Sequence, residues 1–220
     1  MKMKKLVCLS IVGCICCAFA ADKVAIKFEI PGPVSSGTPK EVKSDNLEPD
    51  PGPGKLRAPI MVPVGFDKKL TTEDTVVTIS SEEAVTGDAE FVVDGDKTPD
   101  ATCMLALPGG LQWVQIDLGA EKTVSAVCVW HDQGDDRVYK DVIVQLSNSA
   151  KFDSGVTTIF NNDHDNSAKL GKGADKEYRE RNDGRPIDGK LTKARYVRCY
   201  SAGSSSDPLN NYVEIEVFGK

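Results

Sequence analysis

Two stretches carry residue types that could bind something rather than only fold. Asp94-Gly95-Asp96-Lys97-Thr98 puts two carboxylates, a hydroxyl and several carbonyls into one short turn. A hard cation such as Ca²⁺ takes about six to eight oxygens, and the glycine permits the sharp bend that gathers them. The competing reading is an Asp-Gly turn closed by its own side-chain hydrogen bonds. The second stretch is Asn161-Asn162-Asp163-His164-Asp165-Asn166-Ser167. Asp163, Asp165 and Ser167 would take the first, third and fifth places of an EF-hand loop. The pattern then fails, because Ala168 stands where glycine is needed and Ala174 where the closing glutamate is needed. What remains is a solvated loop with Asx turns, or a cation site of another kind.

Sugar hydroxyls are met by planar polar side chains, usually beside an aromatic ring. His131 ends an apolar run, Arg137 lies in the loop after it, and Asn161, Asn162 and His164 lie in the long polar loop. Asn210 and Asn211 sit at the end of another polar loop. By residue type and loop position these form a candidate ligand-binding set; ordinary loop polarity is the alternative. Both tryptophans, Trp113 and Trp130, lie inside apolar runs and read as core rather than platform. A stacking ring would therefore have to come from Tyr139 or Tyr178. Catalysis has no comparable signal. There are two histidines, and no serine elbow, HExxH, phosphate loop or Cys/His pair is present.

These residues need a frame, and the frame is β. Trp113–Leu118 alternates, with Val114, Ile116 and Leu118 on one face, and Gly119 stops it. The runs 76–80, 91–93, 124–131, 141–147, 156–160, 196–201 and 212–218 complete about eight short strands separated by Gly, Pro, Asp and Asn. In the last of them Val213, Ile215 and Val217 oppose Glu214 and Glu216. No helical period appears after Thr72. The expectation is an all-β, antiparallel sandwich over residues 72–220.

Five pieces in order, Asp94–Thr98, Trp113–Gly119, Val142–Ser147, Ala194-Arg195-Tyr196-Val197-Arg198 and Val213–Gly219, resemble the factor five/eight type C (discoidin-like) domain. That family includes the family-32 carbohydrate-binding modules of the galactose-binding-like fold. The resemblance implies a jelly-roll-like β-sandwich whose end loops bind sugars, phospholipids or proteins, without catalysis. It also implies a structural Ca²⁺ held by Asp94, Asp96, Thr98 and Glu214, clipping the first and last strands together. It implies a structural role for the strand carrying Arg195 and Arg198. The expected function is an exported binding module for extracellular carbohydrate. The alternative is a module of the same fold that binds another protein or the cell envelope.

The flanks set the compartment. Residues 1–20 join a basic start to an apolar run too short to span a bilayer, then Ala18-Phe19-Ala20, which reads as a secretory signal peptide. Ile11-Val12-Gly13-Cys14 offers a second reading, a lipobox with a lipid anchor at Cys14 as the chain's one route to a membrane. The product is therefore expected to be secreted or periplasmic, or a lipoprotein. The formal charge of −6 becomes −9 once Lys2, Lys4 and Lys5 leave with the signal. That excess of acid argues against nucleic acid as a partner. Residues 21–71 hold eight of the 12 prolines and read as an extended lead-in. Its first reading is a spacer; its second is a strap docked through Ile60-Met61-Val62 and Phe66. Cleavage leaves Cys103, Cys128 and Cys199, expected as buried thiols or as one disulfide with a cysteine left over.

Overall fold

The computed structural model describes residues 22–32, 42, 44–52 and 54–220. The expected signal peptide and its alternative, a lipobox at Cys14, lie outside the described residues. No helix among the described residues is long and apolar enough to cross a membrane.

The strands are β1 (Lys23–Ala25), β2 (Met61–Pro63), β3 (Lys68–Lys69), β4 (Val76–Ile79), β5 (Leu105–Leu107), β6 (Gln112–His131), β7 (Ile143–Ser147), β8 (Thr157–Asn161), β9 (Arg185–Ser201) and β10 (Asn210–Gly219). All named pairings are antiparallel. The expected all-β sandwich stands. The runs 113–118 and 124–131, expected as two strands, are one 20-residue strand. It pairs with β9 from Gln112↔Ser201 to Val129↔Arg185, interrupted by register shifts between Asp117 and Lys122 and between Val124 and Ala126. Long strands that bend at irregularities and pass from one layer into the other form the corner of the sandwich. Gly119 stands in that corner at φ +76°, where a side chain would be strained. The run 91–93, expected as a strand, lies in the 3-10 helix Ala89–Val93.

Alternation decides what each face meets. Val114, Ile116, Val127, Val129, Val144, Leu146, Val197, Ile215 and Val217 point inward and form the main core. The opposite face of β6 and β10 presents Ala126, Cys128, Trp130, Val213 and Phe218. An open sandwich would leave that face in water. Here the lead-in covers it. Ile26 and Val62 are buried against it, and Val24, Phe28, Ile60 and Phe66 pack alongside. The lead-in is thus a strap, and the spacer reading does not hold for its described residues. β1 and β2 form its two-stranded antiparallel ladder, and the Phe28 ring meets Trp130 edge-on at 5.3 Å. Ions fasten it: Arg57 bridges Glu48 and Asp183, Arg185 also meets Glu48, and Arg181 meets Asp50. Trp130 is fully buried, as expected of a core tryptophan. Trp113 stands on the outer face of the other layer, with the Arg198 guanidinium 4.1 Å from its ring and 4.1 Å from Phe152.

Cys103, Cys128 and Cys199 are free thiols. Burial raises the pKa of both core thiols, that of Cys199 to about 12, so they behave as small apolar groups.

Candidate functional site

The corner at residues 117–123 defines one end of the sandwich. His131, Ser201, Ile143 and Tyr212 all lie toward the other end, because β6 and β9 run away from the corner in both layers. That far end carries the loops 132–142, 162–184 and 202–209. Arg137, Asn161, Asn162, His164, Asn210 and Asn211 are all there, together with His131. They share an end, and the side chains of His131, Arg137, Asn161, Asn162 and Asn210 are engaged in holding the loops there.

His131 is 1% exposed. Its Nδ1 lies 2.8 Å from Glu180 Oε1, and its ring stacks on Tyr139 at 4.4 Å and meets Tyr212 at 4.6 Å. Glu180 sits in the next loop, where its amide donates to the Arg137 carbonyl. His131 therefore ties two loops together from beneath. Glu180 was not visible in the sequence as a site residue, since nothing separates it from the other 32 acids. Arg137 donates to Asp135 at 2.6 Å and to Asp207 at 2.8 Å, and lies 3.0 Å from Asp132. This four-residue ionic array joins the loops 132–142 and 202–209. Tyr139 and Tyr178, the expected stacking rings, are 1% and 2% exposed and cannot serve.

Asn161 donates through Nδ2 to the Gly171 carbonyl and accepts the Asp163 amide. Asn162 Oδ1 accepts the Val142 amide, which docks the long loop onto β7. His164 is partly exposed. Asn210 is buried and bonds to Pro108, Gly110, Ser201 and Gly203. Asp141 of the loop 132–142 and Asp163 and Asp165 of the long loop bring carboxylate oxygens within 4.8 Å of one another, the one such group among the described residues. Asp163 accepts the amides of Ser167 and Ala168, and Asp165 also accepts from Ser167. Asp141 Oδ2 accepts from Ser167 Oγ, so donors of the long loop reach all three carboxylates.

The metal candidates sit on the side of the sandwich. Asp94 Oδ1 accepts the Asp96 amide at 2.7 Å, and Asp96 Oδ1 accepts the Thr98 amide at 2.9 Å. Thr98 holds the Asp96 carboxyl below the usual range. Glu214 reaches the same turn: its Oε2 accepts the Gly95 amide at 3.1 Å. Its Oε1 is buried and has no partner. Burial pushes its pKa up to about 8. A buried carboxylate with one open oxygen, beside a turn rich in carbonyls, is donor chemistry that a hard cation fits. Glu216, two residues on, is also buried and accepts from Lys97 Nζ at 3.1 Å and Lys69 Nζ at 3.4 Å. Strand alternation placed both glutamates on an outer face; that the strap and the turn would bury this face was not readable from β10 alone.

Comparison with known proteins agrees with this architecture. Residues 91–199 match the family model of an F5/8 type C domain described as a NedA-like, galactose-binding domain. No curated protein matches the chain. Among solved structures, the family 32 carbohydrate-binding module of NanJ from C. perfringens, in complex with galactose, is 13% identical. It aligns 68% of this chain with 97% of that one at a TM-score of 0.50. The family 89 glycoside hydrolase from Clostridium perfringens, in complex with GlcNAc-α-1,4-galactose, is 19% identical over 69% of this chain, also at 0.50. Only 14% of that larger enzyme is covered. A chitosan-binding module from a chitosanase/glucanase of Paenibacillus sp. IK-5 is 22% identical, covering 69% of this chain and 99% of that one, at 0.49.

Proposed function

We propose, from the premise that residues 91–199 form a galactose-binding-like domain of the F5/8 type C family, that this is an exported binding protein for extracellular carbohydrate and that it acts without chemistry. The observation that supports this reading most is the ionic array at the loop end. Arg137 is fixed by Asp132, Asp135 and Asp207 and is 11% exposed at its side chain. A guanidinium ringed by carboxylates puts donors and acceptors side by side, which is the arrangement that vicinal hydroxyls need. With Tyr139 and Tyr178 buried, neither supplies a stacking surface, so weak affinity is expected. Export rests on residues 1–20, with anchoring at Cys14 as its variant.

Calcium belongs to the same reading. Glu214, with Asp94, Asp96, Thr98 and the carbonyls of their turn, would hold it. Bound there, the ion supplies charge compensation for Glu214 and fastens the turn to β10.

A glycan array run on the calcium-treated, folded protein tests the function. The expected result is binding to at least one neutral glycan, lost in Asp207→Ala. No binding to any glycan would favour the alternative, a module of this fold that grips a protein or the envelope.

A further inference from the structure

The strap does more than cover an apolar face: it walls a cleft. Between the strap and the turn at residues 94–98 lies a cleft of about 320 Å³ with Glu216 on its wall. That volume is within the usual range for small-molecule sites, about 300–1,000 Å³. Six charged residues line it: Lys27, Lys69, Lys97, Glu29, Asp67 and Glu216. Phe28 and Phe218 supply apolar lining. Phe28 is fixed by its edge contact with Trp130.

Glu216 carries the argument. It is 3% exposed. Both lysine ammoniums approach its Oε1, while Oε2 is buried and has no partner. A buried carboxylate oxygen left open demands a hydrogen-bond donor. The Lys97 ammonium lies 4.9 Å from the Trp130 ring centroid and has one carboxylate contact, so it keeps donors to spare. The ligand must therefore donate to a carboxylate and accept from an ammonium at once. A simple cation would meet three lysines, and a simple anion would meet three carboxylates. A neutral polyol meets neither objection: each hydroxyl both donates and accepts, and the carbon face of a pyranose suits a phenylalanine wall.

We infer that the strap and the outer face of β10 form a second binding cleft, for a neutral sugar, separate from the loop end. It depends on residues 27–29, 67 and 69, which lie outside the matched segment 91–199, and it stands whether or not the loop end binds sugar.

The test is an amide-resolved NMR titration of the mature chain with D-galactose, D-mannose and N-acetyl-D-glucosamine, with acetate and methylammonium as charged controls. The expected result is saturable shifts at Lys27, Phe28, Gly95 and Lys97 with at least one sugar, weakened about tenfold in Glu216→Gln. Lys69 is 40% exposed at its side chain, so Lys69→Ala should keep the fold and still weaken the same shifts several-fold. The inference is overturned if a folded protein shows no shift in this group, or if acetate or methylammonium alone reproduces the shifts. It is also overturned if sugar moves only residues 132–142 and 202–209. That last outcome would leave the loop-end reading intact, and shifts confined to the cleft would do the reverse.

Discussion

His131 and Glu180 share a hydrogen bond inside the protein, with both side chains at 0% exposure. Replacing the histidine by alanine would leave the Glu180 carboxylate buried without that partner and would open a gap between Tyr139 and Tyr212. Such a loss costs about 3–5 kcal/mol. His131→Ala should therefore lower the unfolding free energy obtained from urea denaturation by that amount; a change below about 1 kcal/mol would contradict the role given to the pair. Glu214 makes a prediction with the opposite chemistry. Its pKa is raised from 4.5 to about 8 by burial. A group that binds its proton more tightly when folded gives stability that is fully present below its unfolded pKa and is lost as pH rises through the folded value. In EDTA, then, the melting temperature should fall as pH goes from about 5 to about 8, and Glu214→Gln should flatten that fall. Calcium, if it binds as proposed, should flatten it as well, because the ion then compensates the ionised form. An unchanged slope in Glu214→Gln would show that the fall comes from elsewhere. Gly184 is a third sensitive position. It sits at φ +58°, and a Cβ there would lie 2.5 Å from the Trp130 ring. Neither the backbone nor a buried indole can yield cheaply, so Gly184→Ala should be among the more damaging small substitutions, at about 2–4 kcal/mol by thermal melt.

The element that decides the domain's limits is the strap. Cutting the chain at residue 72 would uncover Trp130, Val213 and Phe218, which are at most 2% exposed in the whole structure. It would also remove Arg57, the partner of Asp183, and β3, the edge partner of β10. A product of residues 72–220 should be poorly soluble or should bind a hydrophobic dye, whereas one of residues 22–220 should not; equal solubility and equal melting temperatures would refute the strap's structural role. Limited proteolysis should spare 22–30 and 56–71 for the same reason. The sandwich itself was legible because strand alternation in β7 and β10 is clean and Gly, Pro and Asp punctuate the turns. The strap was harder to see. Its strands are three residues each, and eight prolines give it the composition of a linker. The first half of β9 was hidden for a related reason: Arg185–Lys193 has little alternation, and its pairing is set by β6 from across the sheet. The candidate site was legible by end of the sandwich and not by contact. Loop position placed His131 and the asparagines together, but whether each side chain faces solvent or its own loop depends on partners, such as Glu180, that are distant in sequence.

At the scale of the whole molecule, the start of the strap and the C-terminal residue have a common place. Lys220 pairs through its backbone with Thr123, beside the corner, and the strap begins with Asp22 bonded to Val64. Phe66 follows, its carbonyl held by Ser125 Oγ. Asp22, the first described residue, and Lys220 thus lie toward the corner, and the loops 132–142, 162–184 and 202–209 lie at the opposite end of β6. The eight residues from Val124 to His131 separate the two ends by about 25 Å at the usual rise of a strand. A protein held by its N-terminus, whether by a lipid at Cys14 or by any other tether, would point the loop end outward from the surface. Attachment chemistry can test this. On a Cys103→Ser background, one form would carry biotin at the N-terminus of the mature chain and another at Pro208→Cys, an exposed position in the loop 202–209. Captured on streptavidin, the first should retain binding of any glycan found on the array, and the second should lose most of it. Pro208 does not line the side cleft between the strap and β10, so sugar bound at Glu216 should survive attachment at that position. A ligand that survives attachment at position 208 but is lost in Glu216→Gln would place recognition in the cleft, and one with the reverse pattern would place it at the loop end.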